Sequence, residues 1–265
     1  MAEADFGSID MVVCCDGETL IGTVEEVGNT ARARSLVRQM FETNFFGPVN
    51  VIKAALPGMR RNRDTSGSHI IVVSSIANHL GTPGLGTTCA AGWALDGFCD
   101  SLAYEVAPFN IKISIVQPNL EVNALTHKIT AAPAIEDYGP DRNSAPLFRG
   151  IIGGLLDRIE GESTETGSSG RFMTDKVQSL EPALAATMRD ALVAETVYAI
   201  LAIAGHENPP ARHIVGFEGV ASVKEKLKTV SEELEDFVAS SCAVDIDPGA
   251  HVMDSGGDRG MNGGA

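Results

Sequence analysis

Four runs that are apolar almost without interruption constrain this chain most: IDMVVCC (9–15), HIIVVSS (69–75), IKISIVQ (111–117) and RHIVGF (212–217). A strand with one face in water alternates apolar and polar residues. One that stays apolar is covered on both faces, as in a parallel sheet flanked by helices. Helical patterns lie between the runs. In RSLVRQMFETNFFGPVNVIKAALPGMRR, apolar residues recur at Leu36, Met40, Val51, Ala55 and Met59, and Pro48 is placed to kink or split the helix. Farther on, Leu95, Phe98, Leu102 and Val106 follow in steps of 3, 4 and 4, one face of a second helix. Strand–helix–strand alternation predicts an α/β fold, with right-handed crossovers building a parallel sheet.

The stretch 126–190 departs from this pattern. It is rich in Gly, Pro, Ser and Thr, and EGESTETGSSG (160–170) has the composition of disorder. A segment this long between strands is expected to hold short helices and act as a mobile lid. A helical run near 183–204 precedes the last strand. Ser222 is expected to open the final helix, with Glu225 completing a capping box and Val223, Leu227, Val230, Leu234 and Phe237 forming its apolar stripe. One domain over 1–243 and a disordered tail over 244–265 are therefore expected.

The net charge of −15 over 265 residues argues against nucleic acid and anionic membranes, both of which need clustered Lys and Arg. No apolar run reaches spanning length, and MAEADFGS has neither a basic start nor an apolar core of a signal peptide. Five cysteines (Cys14, Cys15, Cys89, Cys99, Cys242) without metal-type spacing fit reduced thiols, with Cys14 and Cys15 read as buried packing. A cytoplasmic protein is expected. No HExxH, G-x-S-x-G, Walker or EF-hand pattern occurs.

From Ile9 to Phe237 the sequence resembles the short-chain dehydrogenase/reductase family, of the kind that includes hydroxysteroid and retinol enzymes. IDMVVCCDG stands where the family has D-V-V-N-N-A-G, so Gly17 matches the motif glycine beside the cofactor. ETNFFGPVNV matches the helix of the catalytic and structural Asn, here Asn44. IIVVSSIA matches the strand ending in the catalytic Ser, here Ser75, which lies 13 residues before the place of the catalytic Tyr. GWALDGFCDSLAYEVAPFNIKISIVQPN resembles the helix and strand that follow, and ENPPARHIVG the approach to the last strand. The resemblance implies a Rossmann-like parallel sheet with flanking helices.

The departures bear on function. In the family Tyr is the general acid/base, Lys lowers its pKa and holds the nicotinamide ribose, Ser polarises the carbonyl and Asn orders a water. Here Thr88 stands for Tyr and Gly92 for Lys. A phenol can be tuned toward neutrality by a neighbouring cation, whereas an aliphatic hydroxyl cannot. Loss of the acid/base step alone removes roughly 10²–10⁴-fold in rate. The Gly-rich dinucleotide turn would stand well before CCDG, and only 13 residues precede Cys14. The sheet is therefore expected to lack the family's N-terminal strands. Asp16 stands where the family has Ala beside the cofactor, and GTPGLG (81–86) is read as the loop before the catalytic helix.

The expectation is a degenerate, catalytically inactive family member that binds no cofactor. Two alternatives stand beside it. One is an NAD(P)-dependent oxidoreductase acting on a carbonyl or hydroxyl of an apolar substrate, its N-terminus lying outside this chain. The other is a repurposed ligand-binding or interaction protein. Ser75 is read mainly as a turn residue and Asn44 as structural. His79 could replace the lost acid, against its reading as a surface His on the lid loop, and Cys89 could be a nucleophile although no activating cation stands near it in sequence. A homodimer through helices 31–60 and 88–107 is expected from the resemblance. Strand 9–15, apolar on both sides and lacking the usual edge protections, is expected to need a covering partner.

Overall fold

The computed structural model describes residues 5–61, 67–161 and 170–241. The chain divides into two units, 1–223 and 224–265. In the first, all four apolar runs become strands of one parallel sheet: β1 (Met11–Cys14), β3 (Ser68–Val73), β4 (Ile111–Gln117) and β7 (Arg212–Ile214), in the order β1-β3-β4-β7. The register sets Val12 beside Ile70 and Val72 beside Ile115. A second sheet, not foreseen from the sequence, joins β2 (Glu18–Ile21) to β5 (Lys128–Ala131) in parallel and β5 to β6 (Gln178–Leu180) antiparallel.

Among the described residues the α-helices are α1 (Val24–Asn29), α2 (Ala31–Phe41), α3 (Gly47–Arg61), α4 (Ala77–Leu80), α5 (Gly86–Val106), α6 (Leu120–Thr126), α7 (Phe148–Glu160), α8 (Ala186–Ile203), α9 (Phe217–Asp236) and α10 (Val238–Ser241). On one face of the main sheet, Ile52 and Met59 of α3 and Leu95, Cys99 and Leu102 of α5 pack on Ile70, Val72 and Ile115. On the other face, Ala199 and Ile203 of α8 cover Ile71 and Val116. Both faces of β3 and β4 are thus dry, which is why those runs carry no alternation. Each wholly buried Ile or Leu contributes roughly 1.5–3 kcal/mol.

Several expectations change. The interruption expected at Pro48 lies just ahead of it and takes a form not foreseen. Residues Glu42–Phe46 form a π-helical turn joining α2 to α3, and Gly47 N–H donates to Glu42 O. Pro48 has no N–H to give to Asn44 O, and its ring would collide with that carbonyl in an α-turn, so the backbone widens ahead of it. Val51 is exposed and does not belong to the buried stripe. The described residues of the stretch 126–190 contribute to a core of the first unit: Phe148, Ile152, Leu156 and Phe172 are buried against Ile21, Leu85 and Ile129. Residues 162–169, within the Ser/Thr/Gly run, lie outside the described residues, as does the tail 244–265. Ser222 does not open the last helix. α9 starts at Phe217, before the capping-box pattern, and of the expected stripe only Val223 is buried. GTPGLG follows α4 and leads into α5.

His69 enters β3 nearly wholly buried. Its Nε2 lies 3.0 Å from Ser114 Oγ, and that hydroxyl donates to Pro210 O at 2.7 Å. Nε2 must therefore carry the proton and donate to Ser114, leaving Nδ1 buried without a partner. Burial, reinforced by the Lys112 charge, pushes the imidazole down from 6.5 to about 4. The unfolded chain binds this proton near pH 6.5 and the folded chain only near 4, so the unfolded state holds more protons between those values. Stability contributed by neutral His69 is complete at pH 7 and is lost as pH falls through that window. Urea midpoints are expected to drop from pH 7 to pH 4.5 more steeply in the native chain than in His69→Gln. Parallel profiles would contradict this role.

Candidate active site

At the C-terminal ends of β1 and β3, α5 and the π-turn close around a cavity of about 70 Å³. Asn44, Ser75, Thr88, Gly92 and Gly17, the positions singled out by the sequence, all line it. The π-turn aims Asn44 at the strand β2: Oδ1 accepts from Glu18 N at 2.9 Å and Nδ2 donates to Glu18 O at 2.8 Å. Both ends of the amide are thereby spent on backbone. A Cβ at Gly17 would stand 3.7 Å from Asn44 Oδ1, ordinary contact, so this glycine is not forced by space. Burial raises the Glu18 carboxyl above its ordinary value, and Lys128, 3.8 Å away, opposes that rise.

Thr88 is bound at both ends. Its hydroxyl donates to Leu20 O at 2.9 Å and accepts from Leu20 N at 3.1 Å, fastening the start of α5 to β2. Gly92 is explained by Asn78. A Cβ built on Gly92 would lie 2.2–2.4 Å from the Asn78 carboxamide, which fills the space beside this helix position. Asn78 was not recognised from the sequence. The available signal was the glycine itself, since Gly inside a helix marks a close approach by something else.

Behind Asn78 runs a buried polar chain. Asn78 Nδ2 donates to Ser74 Oγ at 2.7 Å, Ser74 donates to Asp96 Oδ1 at 3.0 Å, and Gln117 Nε2 donates to Asp96 Oδ2 at 2.8 Å. His79 Nε2 lies 2.9 Å from Gln117 Oε1. With the Gln117 amide nitrogen committed to a carboxylate, its oxygen accepts and His79 Nε2 carries the proton. Burial pushes the Asp96 carboxyl up, while the Ser74 hydrogen bond, the Arg212 charge and the Asn78 amide pull it back. His79 is therefore half-buried in α4 and tied to this chain, not a free surface residue of a loop. Its other neighbour is Trp93, ring centroids 5.4 Å apart.

The remaining candidates separate. Ser75 is buried, and its Oγ accepts from Ala77 N at 3.2 Å as a turn hydroxyl. Cys89 is buried, donates to Ala77 O at 3.3 Å, and burial raises its pKa, so it stays a thiol. Cys14 is half-buried, but Cys15 is exposed, which corrects the reading of the pair as buried packing. Cys15 O is 2.9 Å from His127 Nε2, and His127 Nδ1 is 3.0 Å from Asn123 O, tying the end of β1 to α6. The described residues hold no group of three or more His, Cys, Asp or Glu suited to a metal ion. No described helix is long and apolar enough to cross a membrane.

A parallel sheet with helices on both faces and a cavity at its strand ends defines a Rossmann-like α/β protein. The family model described as short chain dehydrogenase matches residues 1–133, and the chain belongs to that family. It is 35% identical to human retinol dehydrogenase 8 over 146 residues, 55% of this chain and 44% of that protein. It is 30% identical to human 17-beta-hydroxysteroid dehydrogenase type 1 over 127 residues, 48% of this chain and 36% of that protein. The matched region thus spans less than half the length of either relative. A short-chain dehydrogenase from Streptomyces avermitilis shares the fold, with a TM-score of 0.62 at 23% identity, covering 92% of this chain and 74% of that one.

The family implies a nicotinamide cofactor, and the residues present do not fit one in the way the resemblance implies. The Asn78 amide occupies the space beside helix position 92, where the family's ribose-holding Lys would start. Asp16 brings a carboxylate to the cavity wall, where its Oδ1 accepts from Gly17 N at 2.9 Å. The N-terminus of α1 is closed by its own capping box, Thr23 with Glu26.

Proposed function

We propose that this chain is a short-chain dehydrogenase family member whose acid/base site has been rebuilt as packing, and that it acts by binding instead of by hydride transfer. The observation carrying this reading is the paired commitment of Thr88 and Asn78. The only hydroxyl at the Tyr position already donates to and accepts from Leu20, and the Lys position is filled by a neighbour's carboxamide. A Thr hydroxyl here can neither titrate near neutrality nor reach a substrate without releasing β2. The cavity, about 70 Å³, is also far smaller than the roughly 300 Å³ at which small-molecule pockets begin.

One observation favours the alternative of an NAD(P)-dependent oxidoreductase acting on an apolar alcohol or carbonyl: Asn44 and Ser75 line the same cavity. Both readings meet in one experiment. The purified chain is titrated with NADPH and NADH by calorimetry and assayed with retinol and a 17-beta-hydroxysteroid, compounds named for two relatives. No binding up to about 1 mM cofactor and no turnover above background are expected. Low-micromolar cofactor affinity, or turnover abolished by Ser75→Ala, would establish the alternative.

A further inference from the structure

The second unit is described over residues 224–241, mostly the outer part of α9. Ahead of Val238, which is itself exposed and opens α10, its large apolar side chains are Leu227, Val230 and Leu234 on α9 and Phe237 just past the end of α9, in steps of 3, 4 and 3. They are exposed by 60%, 38%, 68% and 64%. This is the narrow two-per-heptad seam that a helix presents to another helix, not the wider stripe of a helix lying on a globular core. Its charges are segregated along the axis. Lys224, Lys226 and Lys228 stand in the first part with Glu225, and Glu232, Glu233, Glu235 and Asp236 in the last.

Within one helix that order is unfavourable. The carbonyl end carries partial negative charge and favours Lys, Arg or His, yet the last turn of α9 holds no basic residue. Within the helix one ion pair is formed, Lys228 with Glu232 at 3.7 Å, both well exposed, and such a pair contributes little. We propose that this helix pairs antiparallel with the same helix of a second copy of the chain. Antiparallel pairing sets the lysines of each copy against the acidic end of the other, twice over by symmetry. It also offsets each acidic helix end with the partner's cations and covers the seam. A parallel arrangement would stack Lys on Lys and Glu on Glu. An anionic membrane would meet the acidic half with repulsion. The helix is already formed from Phe217, so association does not carry the cost of nucleating it. With only two heptads of seam, affinity is expected in the range of about 1–50 µM.

The test is sedimentation velocity of the full chain from about 5 to about 200 µM, at low and high salt. The wild-type chain should be dimeric at the upper end and dissociate further as salt rises. Two variants follow: an acidic one with Lys224→Glu, Lys226→Glu and Lys228→Glu, and a basic one with Glu232→Lys, Glu233→Lys and Glu235→Lys. Each alone should dimerise at least about tenfold more weakly, and an equimolar mixture should restore a one-to-one dimer. Restoration on mixing also shows that both variants are folded. A monomer over the whole range overturns the proposal, as does dimerisation strengthened by salt. Equal dimerisation of wild type and both variants overturns it too, since the contact would then lie elsewhere, as on helices 31–61 and 86–106. Binding to phosphatidylcholine–phosphatidylserine vesicles without self-association overturns it as well.

Discussion

Glu26→Leu is expected to destabilise the folded chain by about 3–5 kcal/mol, and Arg149→Met by a similar amount. Glu26 in α1 and Arg149 in α7 are 123 residues apart in sequence and meet at 2.7 Å, with their side chains 1% and 3% exposed. The carboxylate also serves the backbone: Oε2 accepts from Thr23 N at 2.8 Å and Oε1 from Ile135 N at 3.1 Å. The guanidinium donates in turn to the carbonyls of Phe172 and Ala132. Removing either charge leaves the other buried and uncompensated, in a site where water cannot replace it. Removing both with Glu26→Leu and Arg149→Met should cost clearly less than the sum of the singles. It should not be free, because Thr23 N and Ile135 N lose their acceptor, at about 1–3 kcal/mol for each buried group left unmade. The exposed pairs of Arg142 with Glu136 and Asp137 are the control, expected to contribute under about 1 kcal/mol. Urea unfolding of the two single variants, the double variant and an Arg142→Ala control decides. A single-variant loss below about 1 kcal/mol, or additive singles, would show that the pair does not organise this region.

This pair also marks where the sequence stopped being legible. The main sheet could be read because β3 and β4 are dry on both faces, and continuous apolar character is the direct consequence of that environment. The second sheet could not. ETLI, KITA and QSL are three or four residues each, too short for periodicity to distinguish them from loop. Their order is set by long-range contacts: Glu26 reaching Arg149, and Phe148 and Phe172 filling the core under β5. The Gly- and Ser-rich composition of 126–190 hid the apolar residues of its described part, Phe148, Ile152, Leu156 and Phe172, which pack with Ile21 and Leu85 into one core. The capping box at Ser222 failed for a local reason. A Ser with Glu three residues later is a start signal only where the backbone before it is not helical, and Phe217–Ala221 already is.

At the site, sequence comparison located the positions but not their new partners. Thr88, Gly92, Asn44, Ser75 and Gly17 do meet at one cavity, because the order of elements along a parallel sheet brings strand ends and the start of α5 together. What Thr88 binds could not be read, since Leu20 contributes only backbone and lies 68 residues away. The polar chain through Ser74, Asp96 and Gln117 was hidden likewise. Its members sit on β4, α5 and the turn after β3, and each alone resembles an ordinary strand-end or helix residue. Gly92 carries a signal of its own, a glycine inside a helix, but not the identity of the side chain that fills the space beside it.

Gly92→Ala is accordingly expected to run against the usual sign. In a helix interior the change ordinarily stabilises by roughly 0.8–1 kcal/mol, since Ala restricts the unfolded backbone and favours helix. Here the new Cβ would stand 2.2–2.4 Å from the Asn78 side chain. That side chain cannot swing away cheaply, being 4% exposed and held to Ser74 Oγ at 2.7 Å. Moving it breaks a buried hydrogen bond, and compressing it costs as overpacking does, so a net loss of about 1–3 kcal/mol is expected. Gly92→Lys should lose at least as much. Asn78→Gly alone should also destabilise, because it opens a small void and removes one donor from Ser74. Combining Asn78→Gly with Gly92→Lys gives the new stem the space the amide vacates. The double variant should therefore lose less than the two singles together, by a coupling of about 0.5–3 kcal/mol. Thermal or urea unfolding of the four chains closes this cycle. A stabilised Gly92→Ala would mean that Asn78 is free to move, and additive singles would mean that the two positions do not compete. Either result would remove the reason for treating the Lys position as filled, and with it half of the support for a chain that binds without catalysing.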